Sequence, residues 1–226
     1  VYASFDLRES QFKVAPVDAN IYPAGFNNIC EIDRENAPEI FRNYMKGHYG
    51  ESFQKVLLLA EVNSKNLYYW DNVATLVEII SSAGFEVKVA VPSDEAFPSE
   101  IQSASGKSVS VEVVRRSDSK VKLNSGFHPD FIVSNNDFSN EYNELVEGLD
   151  IPINPPYQLG WHRRRKDRYF SNYNALSAEL AELSSVDPWW FQLRTELFSD
   201  FEMSDSSNRN DLAQLVQNII DDLAKE

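Results

Sequence analysis

Val56–Ala60 (VLLLA) is a continuous apolar run, too short for a helix and bounded by polar residues, the signature of a strand buried on both faces. Beyond a loop holding Asn63 and Asn66, Val73, Leu76, Val77 and Ile80 fall at i, i+3, i+4 and i+7, a helical stripe stopped by Gly84. Phe85, Val87, Val89 and Val91 then alternate with polar or small residues and predict a second strand. Strand, helix, strand is a βαβ unit, which implies a parallel sheet and a right-handed crossover. Val109, Val111 and Val113 predict another strand, and Phe131–Ser134 (FIVS) a short buried one. Between them, residues 92–107 read as a surface loop. The expected fold class is α/β: a Rossmann-like, mainly parallel sheet flanked by helices, with additional helices toward the C-terminus.

The flanks are less regular. Residues 1–14 read as an irregular arm or a short helix, and Val17–Asn28 as a shaped loop. A helix is expected from an Asn36 cap, with Pro38 in its first turn, Ile40, Phe41 and Tyr44 on one face, and Gly47 at its end. Toward the C-terminus, Tyr169, Tyr173, Leu176, Leu180 and Leu183 form a helical stripe expected to be core. Asp187–Phe191 is a turn with an aromatic cluster, 202–210 reads as a polar linker, and a final amphipathic helix carries Leu212, Leu215, Val216, Ile219 and Leu223. These readings divide the chain into an N-terminal arm and loop region (1–54), an α/β sheet domain (55–152) and a basic loop with helices (153–226). Val1 is not a methionine and the last helix runs to the final residue, so the chain reads as part of a longer protein.

Composition narrows the function classes. With 35 Asp+Glu against 21 Lys+Arg, the formal charge is −14, which argues against nucleic-acid binding. No apolar run approaches membrane-span length, so no membrane association and a cytoplasmic location are expected. Cys30 is the single cysteine, read as a small apolar filler in a reducing compartment. Three histidines without metal-site spacing predict no metal ligands in this chain. There is no GxGxxG after a strand and no GxxxxGK[ST].

Against that acidic background, Ile153–Phe170 (INPPYQLGWHRRRKDRYF) is basic. Guanidinium groups fork onto carboxylate or phosphate, and lysine adds a point charge. Trp161, His162, Arg164 and Lys166 are the candidate ligand contacts, the last three because alternate residues share a side in extended backbone. A solvated basic patch explains the same charges. The strand at 131–134 delivers Asn135, Asn136 and Asp137 to the carboxyl edge of the sheet, where ligands of open α/β sheets bind. Asp137 there could pair with an ammonium, or simply form an Asx turn. Asn27 and Asn28 offer uncharged donors and acceptors for an amino acid, or satisfy their own backbone.

Five blocks, VDANIYPAGFNN, NLYYWDNVATLVEIISSAGFEV, PDFIVSNNDFS, INPPYQLGWHRRRKDRYF and VDPWW, occur in an order that resembles a small family of bacterial glutamate–cysteine ligases related to ATP-grasp enzymes. The resemblance spans most of Val14–Trp190 and implies a sheet of the pre-ATP-grasp type. It implies an enzyme that joins the γ-carboxylate of glutamate to cysteine through an acyl phosphate, the first step of glutathione biosynthesis. Glutamate, cysteine and ATP are then the small-molecule partners, with ATP and Mg2+ held mainly in a further C-terminal half. This portion alone is expected to be inactive. Lys65, where the family pattern has arginine, and Asp167, where it has a small hydroxyl residue, are departures. The alternative reading is a non-catalytic α/β module that binds an amino acid or acidic metabolite.

Overall fold

The structure, a computed structural model, describes residues 4–22, 24–62, 65–93, 95–139 and 142–225. The chain forms two compact units: Val1–Leu7 with Pro16–Arg164, and Arg8–Ala15 with Arg165–Glu226.

The first unit is built on the sheet that the βαβ pattern predicts. Strand β3 (Lys55–Leu59) is central, with β4 (Glu86–Val91) on one side and β8 (Phe131–Ser134) on the other, both parallel to it. Leu58 stands level with Val89 and Val133. Beyond β4 the sheet continues through β6 (Ser108–Ser117), parallel to it, and β5 (Glu100–Gln102), antiparallel to β6; beyond β8 lies the short parallel β9 (Ile153–Asn154). Strand β7 (Lys120–Leu123) forms a hairpin with β6. The mainly parallel α/β sheet is therefore as expected.

Helices α1 (Glu31–Tyr49) and α2 (Leu67–Ser82) pack in one apolar cluster with the face that carries Val56, Leu58, Phe131 and Val133. Leu57, Leu59 and Ile132 point the other way, into a cluster with Tyr22, Phe127, Phe138, Val146 of the short helix α3 (Asn143–Val146), and Tyr157. Val56, Leu57 and Leu58 are fully buried, as a strand covered on both faces requires. Each buried leucine contributes about 2 kcal/mol. Asn66 caps α2 by accepting from the Tyr68 amide at 3.0 Å, and Gly84, at φ +94°, lets the chain leave it. Asn63 lies outside the described residues.

Several local expectations are corrected. The arm is a hairpin of β1 (Ser4–Glu9) and β2 (Val14–Asn20), its turn closed by the Ser10 amide on the Lys13 carbonyl at 2.9 Å. Phe5 and Leu7 alternate as strand residues but stay exposed, so no buried apolar run marked them. Helix α1 starts before Asn36 and holds Pro38 in its interior; it ends at Gly50 (φ +89°) rather than Gly47. Cys30 is exposed at the cap of α1, its thiol donating to Asp33 Oδ2 at 3.2 Å, and fills no core. The loop 92–107 contains β5, paired to β6.

In the second unit, α4 (Lys166–Ser184) carries the predicted stripe, yet Leu176, Leu180 and Leu183 are exposed and not core. Asn174 fastens the following segment to α4, its carboxamide exchanging two 2.8 Å bonds with the Leu193 backbone. Trp189 and Trp190, in a capped 3-10 turn, meet edge to face and remain partly exposed. Helix α5 (Ser206–Leu223) begins inside the expected linker because Asp205 caps it, accepting from the Ser207 amide at 2.7 Å. No helix among the described residues is long and apolar enough to cross a membrane.

Candidate functional site

At the carboxyl edge of the sheet, β3 runs out into Ala60–Glu61 and β8 into Asn135–Asp137. Buried polar groups tie these ends together. The Asn135 amide donates to the Leu59 carbonyl at 2.9 Å, and the Asn136 carboxamide donates to Ala60 O at 3.1 Å while accepting from the Phe138 amide at 2.9 Å. Asn72 on α2 donates to Asn135 Oδ1 at 2.8 Å and accepts from the Phe26 amide at 3.0 Å, which pins the Phe26–Asn28 turn to the same edge; the loop expected from Val17 is strand β2 as far as Asn20. The Tyr69 hydroxyl donates to Asn135 O and accepts from the Glu61 amide, both at 2.9 Å. Asn135 and Asn136 are thus buried braces that hold the two strand ends in register.

Asp137 is different. Its carboxylate accepts from the Ser139 amide and hydroxyl at 2.8 and 2.7 Å, the Asx turn weighed from sequence. It also lines a hollow of about 360 Å³ with Asp6, Asn20, Tyr22, Gly25 and Trp161. Its amide donates to Glu61 Oε1 at 2.5 Å. Burial pushes the Glu61 carboxyl up to about 7; the Asp137 amide pulls it down, and the Asp137 carboxylate nearby pushes it up again.

The basic stretch meets this edge through its backbone. The Trp161 amide donates to Asp137 O at 2.9 Å and the His162 amide to Phe138 O at 3.1 Å. Only glycine allows the approach: a Cβ on Gly160 would stand 2.6 Å from Phe138 Cβ and 2.8 Å from His162 Nδ1. The Arg163 and Arg164 amides both return to Gly160 O at 3.0 Å, so the backbone is a turn here and not extended. His162 stacks on Tyr157 with ring centres 4.4 Å apart, and its Nδ1 lies 3.2 Å from Phe138 O. The Arg164 guanidinium lies 4.7 Å from the centre of the Trp161 ring, within cation–π range. Among the described residues, the buried Arg164 Nε and Nη2 have no acceptor, and buried His162 Nε2 has no partner. A guanidinium held in this way suits an oxyanion.

The structure therefore brings Asp137, Trp161, His162 and Arg164 together. Lys166 is exposed as the first residue of α4 and lines a groove of the second unit. The turn at 160–164 breaks the alternation that had grouped it with His162 and Arg164. Asn27 and Asn28 line a separate hollow of about 310 Å³ with Asn66, Tyr68 and Tyr69; Asn27 donates to Asn28 Oδ1 at 3.1 Å. Glu61, Tyr69 and Asn72 escaped the sequence reading. Glu61 could have been found, because it directly follows a buried strand.

A glutamate–cysteine ligase family model matches residues 1–226. The chain belongs to the glutamate–cysteine ligase family. Among solved structures, it is similar to a protein of Methylobacillus flagellatus KT inferred to be a gamma-glutamylcysteine synthetase. The two share 32% identity with a TM-score of 0.74, over 84% of this chain and 45% of that one. This family member thus spans less than half the length of that relative. No curated protein matches it.

Proposed function

We propose that this chain is the substrate-side portion of an ATP-dependent ligase that joins the γ-carboxylate of glutamate to the amine of cysteine. In that reaction a γ-carboxylate oxygen attacks the terminal phosphorus of ATP, and ADP leaves. The cysteine amine then attacks the acyl carbon, loses its proton, and phosphate departs with the former carboxylate oxygen. The observation that carries the reading is the Arg164 guanidinium over the ring of Trp161, its two buried nitrogens lacking an acceptor among the described residues, with Trp161 also lining the hollow that Asp137 lines. Arg164 would neutralise a substrate carboxylate or the phosphoryl oxygens, and the His162 Nε2 side would add a partner. Asp137, which lines the same hollow as Trp161, would face the ammonium of an amino acid.

ATP enters as co-substrate, and Mg2+ would screen its phosphates. Among the described residues no group of three or more His, Cys, Asp or Glu is arranged to hold a metal ion.

Calorimetric titration of the chain with glutamate, cysteine and ATP in turn tests the reading. Glutamate or cysteine should bind, and Arg164→Ala should weaken that binding about tenfold or more, the worth of a hydrogen bond to a charged group. Unchanged affinity in a folded Arg164→Ala protein would remove Arg164 from the site.

A further inference from the structure

We infer that Glu61 is a positioning residue that couples amino-acid binding to proton release: an ammonium docked at Asp137 drives the proton off Glu61, and the carboxylate so formed clamps the Asp137 amide. The inference rests on the ligase reading, in which Asp137 faces that ammonium. Glu61 follows directly on β3, and its own amide is fixed by the Tyr69 hydroxyl at 2.9 Å. The same hydroxyl donates to Asn135 O at 2.9 Å, so the main chains of both strand ends are already braced. Glu61 Oε1 then accepts from the Asp137 amide at 2.5 Å, while the Asp137 carbonyl accepts from the Trp161 amide at 2.9 Å. Asp137 is thus gripped on both sides of its Cα, and with Trp161 it lines the hollow. Glu61 is only partly buried, so its proton can pass to solvent.

The groups around the Glu61 carboxyl agree with that role. Among the described residues, the titratable groups that meet Glu61 are the Asp137 carboxylate, on the loop after β8, and the Tyr69 hydroxyl of α2. Burial holds the Glu61 carboxyl near 7, with the Asp137 amide pulling it down and the Asp137 carboxylate pushing it up. Near neutrality the two carboxylates therefore compete, and Glu61 keeps its proton in about half of the molecules. An ammonium paired with Asp137 cancels the repulsion and favours negative charge at Glu61, so the proton leaves to solvent. The ionised carboxyl then makes a charge-assisted bond to the Asp137 amide, stronger than the neutral one. Since binding lowers the Glu61 pKa, affinity must rise as pH rises toward and through 7.

Calorimetric titration of glutamate and of cysteine in phosphate and in Tris, whose ionisation enthalpies differ, counts the protons released. At pH 7 the chain should release up to about half a proton per amino acid bound, and affinity should rise about threefold or more from pH 6 to pH 8. Glu61→Gln keeps an acceptor for the Asp137 amide, so it should bind with no release and a flatter dependence on pH. Asp6 and His162 titrate in both proteins, so the difference between the two belongs to Glu61. The deaminated analogues, glutarate and mercaptopropionate, should release no proton. Equal release by Glu61→Gln, release with the analogues, or amino-acid binding without release would each overturn the inference and leave the ligase reading in place. Failure of the wild-type chain to bind either amino acid would overturn both.

Discussion

Glu61→Gln isolates the energetic role of the carboxyl that joins the two strand ends. In the folded chain this carboxyl titrates at about 7 instead of its ordinary 4.5, chiefly because it is buried. A raised pKa means that the folded state holds the proton more tightly than the unfolded state between those values. Stability is therefore fully present below about pH 4.5 and is lost as pH rises through about 7. At about 1.36 kcal/mol per unit the loss would be about 3.4 kcal/mol; solvent reaching a half-buried group reduces it to about 2 kcal/mol. Glutamine keeps an oxygen to accept the Asp137 amide and has no proton to lose. Urea unfolding of both proteins at pH 5 and pH 8 gives the difference directly, with every other titrating group cancelling. Glu61→Gln should gain about 2 kcal/mol on the wild type over that interval. A stability difference that is the same at both pH values would refute burial of an uncharged Glu61 as the source of the shift.

Two further substitutions probe the frame around it. Gly160→Ala must push Phe138 or the His162 ring aside, at a cost of about 1–3 kcal/mol, and should lower the thermal midpoint together with affinity for glutamate or cysteine. Asn72→Ala removes the hydrogen bonds that the buried Asn72 makes with the Phe26 amide and Asn135 Oδ1, so a loss of about 2–4 kcal/mol in denaturant unfolding is expected, and one below 0.5 kcal/mol would mean water replaces the amide.

The sheet was legible because its signal is periodic and its strands are buried on both faces. Val56–Ala60 and Phe131–Ser134 had to be interior strands, and the stripe from Val73 to Ile80 had to be the helix that joins β3 to β4. Asp137 followed from topology alone, since it leaves a parallel strand at its carboxyl end. What failed depends on contacts made far along the chain. Phe5 and Leu7 alternate but stay exposed, so the hairpin they belong to has no hydrophobic signature. Lys166 was grouped with Arg164 on the assumption of extended backbone, whereas both the Arg163 and Arg164 amides fold back on Gly160. Asn135 and Asn136 looked like ligand groups because a sequence does not reveal that Asn72, Ala60 and Phe138 already engage them.

The two amides of Trp161 and His162 that grip the carbonyls of Asp137 and Phe138 make the acidic loop and the cationic turn a single rigid piece. The placement of Asp137 relative to the turn that carries Arg164 is then set by main chain, as the jaws of a caliper are set by its frame. In the proposed site such a frame would rank amino acids by the spacing of their charges. An inserted residue at either jaw would reset the length it accepts, with every side chain in the site left as it is.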